Sequence, residues 1–134
     1  MKKVIIVAAG ILLLIGGILA LPKNKNGEVN VENKEVASDP RMDEFAKCIE
    51  KSGAKFYGAT WCSHCQDEKK LFGGSAKYLP YVECATPDGL GQADVCRDAK
   101  IEGYPTWEFA DKSRESGALP LTMLAEKTGC VLPQ

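Results

Sequence analysis

Cys62 and Cys65 stand three residues apart in the stretch Trp61-Cys62-Ser63-His64-Cys65, and their flanks decide how they can be used. The apolar run Phe56-Tyr57-Gly58-Ala59 comes just before and reads as a buried strand. The polar run Gln66 to Phe72 follows and reads as a helix. Two cysteines at this spacing at the start of a helix face the same way, within bonding reach of each other. Cys62 would lie at the helix N-terminus, where unpaired backbone N–H groups and the helix dipole favour thiolate over thiol. Thiolates attack disulfides, so strand, Cys-x-x-Cys and helix together read as a redox centre. The competing uses lack residues. A structural zinc site needs four ligands, usually in two close pairs. Cys84 and Cys96 are too widely spaced to make a second pair, and His64 is the only histidine. Covalent haem attachment needs a histidine where Gln66 stands. A purely structural disulfide is the third alternative, but so tight a loop beside Trp61 would be an odd staple. No metal or other cofactor is expected.

The chain has 134 residues, enough for one domain and little more. Its net charge of -1, without basic clusters, argues against a nucleic-acid partner. Six cysteines in so short a chain point to an oxidising compartment, with two pairs beyond the Cys-x-x-Cys available as structural disulfides. Val4 to Leu21 is an unbroken apolar run bounded by Lys2-Lys3 and Pro22-Lys23, long enough to cross a bilayer. A cleavable signal peptide is the competing reading. The run is long for a signal core, and Ile18-Leu19-Ala20 lacks a small residue two positions before Ala20, so an uncleaved anchor is favoured. The flanking charges lean towards an inside N-terminus and an outside domain. Residues 1–22 are therefore taken as anchor, 23–38 as flexible tether and 39–134 as the folded domain.

Asp39-Pro40 can cap a helix whose Met42, Phe45, Ala46 and Ile49 share one apolar face, ended by Ser52-Gly53. A strand near Lys55–Ala59, the redox turn and a helix to Phe72, stopped by Gly73-Gly74, come next. Tyr81 to Cys84 is a second strand, and the helix between makes a parallel β-α-β unit. Thr86-Pro87-Asp88-Gly89 is a turn. A short helix over about Gln92–Lys100 carries Cys96. Thr106 to Phe109 and Ser113 to Ser116 are two further strands, and a last helix places Leu121, Leu124, Ala125 and Thr128 on one face.

This order, helix, β-α-β, helix, β-β-α, is that of the thioredoxin fold: an α/β domain with a central four-stranded mixed sheet flanked by helices, here behind an N-terminal transmembrane helix. The domain resembles thioredoxin-family oxidoreductases in Trp61-Cys62-Ser63-His64-Cys65 and in Gly103-Tyr104-Pro105-Thr106. It is more closely similar to the thioredoxin-like domain associated with bacterial vitamin K epoxide reductase homologues. That similarity rests on Ala54-Lys55-Phe56-Tyr57-Gly58-Ala59, His64-Cys65-Gln66-Asp67, Leu71-Phe72-Gly73, Tyr81-Val82-Glu83-Cys84 and Tyr104-Pro105-Thr106-Trp107. It covers about Phe45 to Gly129. The resemblance implies catalysis by Cys62 as exposed nucleophile and Cys65 as buried resolving thiol. It implies a cis bond before Pro105, leaving the Tyr104 backbone to pair with substrate beside Trp61, against the alternative of an ordinary trans proline opening a strand. It also implies a structural bond between Cys84 and Cys96. Cys48 and Cys130 could bond each other or leave a buried free thiol; a bond is the weaker expectation.

Ser63 and His64 would tune the redox potential, His64 by placing positive or hydrogen-bonding character near the Cys62 thiolate. One departure stands out. Thioredoxins carry a buried acid six residues before the nucleophile, and Phe56 is there instead. Three functions compete. The first is a membrane-anchored oxidase on the extracytoplasmic side (periplasm, cell surface or lumen). Acting as a monomer, it would pass oxidising equivalents from a vitamin K epoxide reductase-like membrane protein to cysteine-containing exported proteins. The second is a reductase of a specific target such as apocytochrome cysteines. The third is a non-enzymatic peptide-binding module, against which the intact Cys-x-x-Cys argues.

Overall fold

The computed structural model describes residues 38–134. The predicted anchor and nearly all of the tether lie outside the described residues. Among those described, no helix is long and apolar enough to cross a membrane.

The chain order is α1 (Pro40–Lys51), β1 (Lys55–Gly58), α2 (Ser63–Phe72), a 3-10 turn (Gly73–Tyr78), β2 (Tyr81–Glu83), α3 (Asp94–Asp98), β3 (Thr106–Glu108), β4 (Arg114–Ser116) and α4 (Leu121–Thr128). The four strands form one sheet in the order β2-β1-β3-β4. β2 runs parallel to β1, while β3 and β4 pair antiparallel. The thioredoxin-like α/β arrangement with a mixed four-stranded sheet is thus present.

Local chemistry accounts for the element ends. Asp39 caps α1 by accepting from the Arg41 backbone N–H, with Pro40 at the first helical position. Gly73 stops α2, but the chain continues as a 3-10 turn instead of opening into a loop. Ser75 anchors that turn by donating to Asp43 Oδ1 of α1 at 2.6 Å. The helix expected over Gln92–Lys100 is only five residues long. Gln92 is drawn away from it: its side chain donates to the Ile101 carbonyl and the Tyr104 hydroxyl, and its backbone bridges Ala85. Lys100, in the left-handed region at φ 56, closes the other end.

Alternation along the strands sends side chains into two apolar clusters. Phe56 and Trp107 join Phe45 and Ile49 of α1, Cys65 and Phe72 of α2, and Leu124 of α4. Tyr57 joins Cys84, Cys96 and Ile101 in the second. In the first, Phe56 stacks on Trp107 with ring centroids 4.7 Å apart. The Trp107 indole donates to Glu68 Oε1 at 2.8 Å, and the Leu119 backbone N–H donates to the same oxygen at 3.2 Å. Glu68 is fully buried, and its Oε2 has no hydrogen-bond partner.

Removal from water pushes the Glu68 carboxyl from its ordinary 4.5 up to about 7, and the bonds from Trp107 and Leu119 only partly oppose this. Between these values the folded protein holds a proton that the unfolded chain has released, so stability falls as pH rises through this window. Glu68→Gln should abolish that slope and raise stability above pH 7 by on the order of 2 kcal/mol. Urea unfolding of both proteins across about pH 4 to 8 checks it. Parallel curves would show that Glu68 does not carry the linkage.

Candidate redox site

The redox turn lies where β1 hands over to α2. Cys62 is the N-cap of α2, and its sulfur accepts the Cys65 backbone N–H at 3.2 Å. An orphan donor of the helix start is thus aimed at this sulfur, an arrangement that favours its anionic form. Cys62 and Cys65 are joined as a disulfide with their Cα atoms 5.3 Å apart. Both are well covered, Cys62 at 6% exposure and Cys65 at 1%. Cys62 is therefore the more accessible sulfur, though less open than the sequence suggested. Ser63 and His64 lie on the exposed rim of the turn.

Trp61, 61% exposed, stands edge-on to Tyr104 at 5.8 Å. The Tyr104–Pro105 peptide is cis and Pro105 is fully buried. Tyr104 precedes the β3 ladder, and its hydroxyl accepts from Gln92 at 2.7 Å. Trp61 and Tyr104 thus share a surface of aromatic and backbone groups. Cys84–Cys96 and Cys48–Cys130 form the other two disulfides, with Cα separations of 5.6 and 5.9 Å. The first packs in the second apolar cluster; the second ties α1 to the segment after α4.

Three polar residues near the site, Glu68, Tyr81 and Glu83, carry no site role in the sequence alone. Glu68 follows Cys65 by three residues and precedes Phe72 by four, which places it on the buried stripe of α2. The spacing was the available signal. Tyr81 and Glu83 alternate onto one face of β2, and the Tyr81 hydroxyl donates to Glu83 Oε2 at 3.0 Å. Glu83 Oε1 accepts from the Ala85 backbone at 2.8 Å and the Thr60 backbone at 3.1 Å. One carboxylate therefore holds the end of β2 to the loop that carries Trp61 and Cys62. Burial, then the bond and charge of Glu83, push the Tyr81 phenol above its ordinary value. Lys69 of α2 lies over the Tyr81 ring, 3.1 Å from its centre, and burial lowers its pKa while Glu83 works against that.

Gly58 permits this packing. A Cβ there would lie 2.7 Å from Tyr81 Cε2 and 3.1 Å from Cys65 Sγ. Gly58→Ala should therefore destabilise the fold by about 1–3 kcal/mol and displace the Cys65 sulfur, slowing closure of the Cys62–Cys65 bond. Denaturant midpoints and the rate of disulfide closure test this together. Wild-type values for both would refute the close approach.

The Thioredoxin family profile matches residues 32–126. The thiol-disulfide oxidoreductase LTO1 of Arabidopsis thaliana is 48% identical over 103 residues, covering 73% of this chain and 27% of that protein. A thioredoxin domain-containing protein 5 homolog of Drosophila melanogaster is 33% identical over 112 residues, covering 73% and 27%. A protein disulfide-isomerase of Arthroderma benhamiae is 28% identical over 101 residues, covering 72% and 19%. The match thus spans 27% or less of each relative's length. A matching profile over most of the chain, a mixed four-stranded sheet and a Cys-x-x-Cys disulfide at a helix start lead to one assignment: the chain belongs to the thioredoxin family.

Proposed function

We infer that this protein is a membrane-anchored, extracytoplasmic thiol–disulfide oxidoreductase that exchanges disulfides through Cys62 and Cys65. The observation that carries the chemistry is the position of the pair, with Cys62 capping α2 and Cys65 buried one turn in. A substrate thiolate attacks the Cys62 sulfur of the oxidised pair, and the electron pair of the broken bond leaves on Cys65. A second substrate thiolate then attacks the substrate sulfur bonded to Cys62, forming the product disulfide and releasing Cys62 as thiolate. The reverse sequence reduces a disulfide. Relatives named as a thiol-disulfide oxidoreductase and a protein disulfide-isomerase are consistent with this chemistry.

The direction proposed is oxidation of exported proteins, with a vitamin K epoxide reductase-like membrane protein as the reoxidant. Support comes from His64 inside the Cys-x-x-Cys, from two further disulfides that suit an oxidising compartment, and from the motif resemblance. The apolar run Val4–Leu21 supports anchoring, and a tether to the membrane would raise the effective concentration of a membrane partner.

Cys65→Ala leaves a mixed disulfide at Cys62 with no internal thiol to resolve it, so the partner should accumulate covalently. The trapped species should be the membrane reoxidant and exported proteins, and the potential should lie towards the oxidising end of about −270 to −120 mV. A single reduced target such as an apocytochrome, with a potential near the thioredoxin end, would make the protein a reductase. Fractionation of intact cells should find the full-length chain in membranes with its domain protease-accessible outside. A soluble mature form starting near Leu21 would show a cleaved signal peptide instead.

A further inference from the structure

Every exchange at this pair makes Cys65 lose or gain a proton, yet Cys65 is 1% exposed. Solvent does not serve a sulfur so covered, so a protein group has to. Two buried or half-buried polar groups lie beside α2, on the same face of the sheet but to either side of β1. Glu68 directs Oε1 to Trp107 of β3 and to Leu119, on the β3 side of β1. Cys65 Sγ instead lies over Gly58 of β1, and Tyr81 stands beside Gly58 on the β2 side. The point where a Gly58 Cβ would sit is 3.1 Å from Cys65 Sγ and 3.2 Å from the Tyr81 hydroxyl. The two atoms thus flank the same point, within reach of one bridging water. From that hydroxyl the path continues 3.0 Å to Glu83 Oε2. Glu83 is only half-buried and bonds the exposed Thr60 backbone, so it stands between the covered sulfur and water.

We propose that Tyr81 and Glu83 form the proton relay of Cys65, the hydroxyl of Tyr81 passing protons between the Cys65 sulfur and the Glu83 carboxylate. The proposal rests on disulfide exchange through Cys62 and Cys65 and is independent of its physiological direction. In a mixed disulfide at Cys62, the Cys65 thiol gives its proton to the Tyr81 oxygen as Tyr81 passes its own to Glu83 Oε2. The Cys65 thiolate attacks Cys62 Sγ, forming the Cys62–Cys65 bond. The bond between Cys62 and the substrate sulfur breaks, and its electron pair leaves on that sulfur, which takes a proton from water. The two cysteines are oxidised and the substrate disulfide is reduced. In the opposite direction Cys65 leaves as thiolate and recovers the proton through Tyr81 from Glu83. A phenol held neutral by burial suits a relay, since it neither keeps the proton nor stays ionised. The other titratable groups facing this path are Lys69 of α2 and Tyr104 before β3, while Glu68 of α2 is directed to Trp107 and Leu119. Lys69 over the Tyr81 ring favours negative charge along the path.

Dithiobisnitrobenzoate separates the two half-reactions in the reduced full-length protein. Attack by Cys62 releases one thionitrobenzoate, and resolution by Cys65 releases a second; Cys65→Ser marks the first phase and Cys62→Ser the background. Tyr81→Phe keeps the ring on Phe56 and under Lys69 and removes only the hydroxyl. It should leave the first phase and the melting temperature unchanged and slow the second roughly 10- to 100-fold. Glu83→Gln keeps an oxygen for Thr60 and Ala85, and should slow the second phase and flatten its pH profile. Wild-type second phases in both variants would overturn the relay. So would a second phase slowed by Glu68→Gln but not by Tyr81→Phe, which would move the proton to the other side of β1. Loss of the first phase in the wild-type protein would instead refute exchange through Cys62.

Discussion

The close approach of α2 to β1 is the constraint on which the site depends. A helix carrying a redox pair at its first turn must bring the second sulfur down onto the sheet, or that sulfur stays in water. Here the sheet gives way at one residue. Gly58 has no side chain, and Cys65 Sγ and the Tyr81 ring occupy the space that one would fill. The same residue ends β1, so the chain can leave the sheet, turn through Ala59 and Thr60, and enter α2 at once. Two bonds hold the turn: the Cys62 backbone N–H donates to the Ala59 carbonyl at 3.0 Å, and the Gln66 side-chain amide donates to the Thr60 carbonyl at 2.6 Å. Burial of Cys65, capping by Cys62 and exposure of Trp61 are consequences of that one close contact.

Beneath α2 the polar groups are divided rather than clustered. On the β3 side, Glu68 meets the indole of Trp107, which itself stacks on Phe56. An aromatic at position 56 therefore leaves no room for an acid there, and the buried carboxyl enters from the helix instead. On the β2 side, Tyr81 and Glu83 lead from the sulfur to the Thr60 loop. A buried, uncompensated carboxylate close to Cys65 would raise the thiol pKa and oppose formation of its thiolate. Glu68 is held towards β3 by an indole and a backbone N–H, and burial favours its neutral form.

How far the sequence disclosed this follows from how local each signal was. Asp39-Pro40, the Cys-x-x-Cys after an apolar strand, and the turn at Thr86–Gly89 act within a few residues, and short-range chemistry identifies them. The parallel pairing of β1 and β2 followed from the helix between them once those elements were placed. Glu68 was hidden because its residue type speaks for solvent, whereas its position on the Cys65–Phe72 stripe speaks for the core. Tyr81 and Glu83 were hidden because their role needs the register of β2 on β1, which sets Tyr81 beside Gly58 and Glu83 beside Thr60, more than twenty residues away in sequence. The shortened α3 belongs to the same class. Gln92 looks helical by itself, but Ile101 and Tyr104 offer its amide better partners.

The three disulfides divide the labour between fold and chemistry according to how much chain each closes. Strands of three or four residues give the sheet few ladder bonds, so covalent ties contribute strongly to a domain this small. Cys48–Cys130 spans 82 positions and holds α1 to the segment after α4. On the chain-entropy account such a closure stabilises by roughly 4–5 kcal/mol. Cys84–Cys96 spans 12 and contributes about 3 kcal/mol. Cys62–Cys65 spans only 3 positions and restricts the unfolded chain least of the three. Its opening therefore removes little that the fold relies on, while α2 stays seated through Phe72 on Phe45 and Glu68 on Trp107. A bond that must break in every turnover is the one whose loss the domain tolerates best, because the two longer closures keep the framework rigid around it.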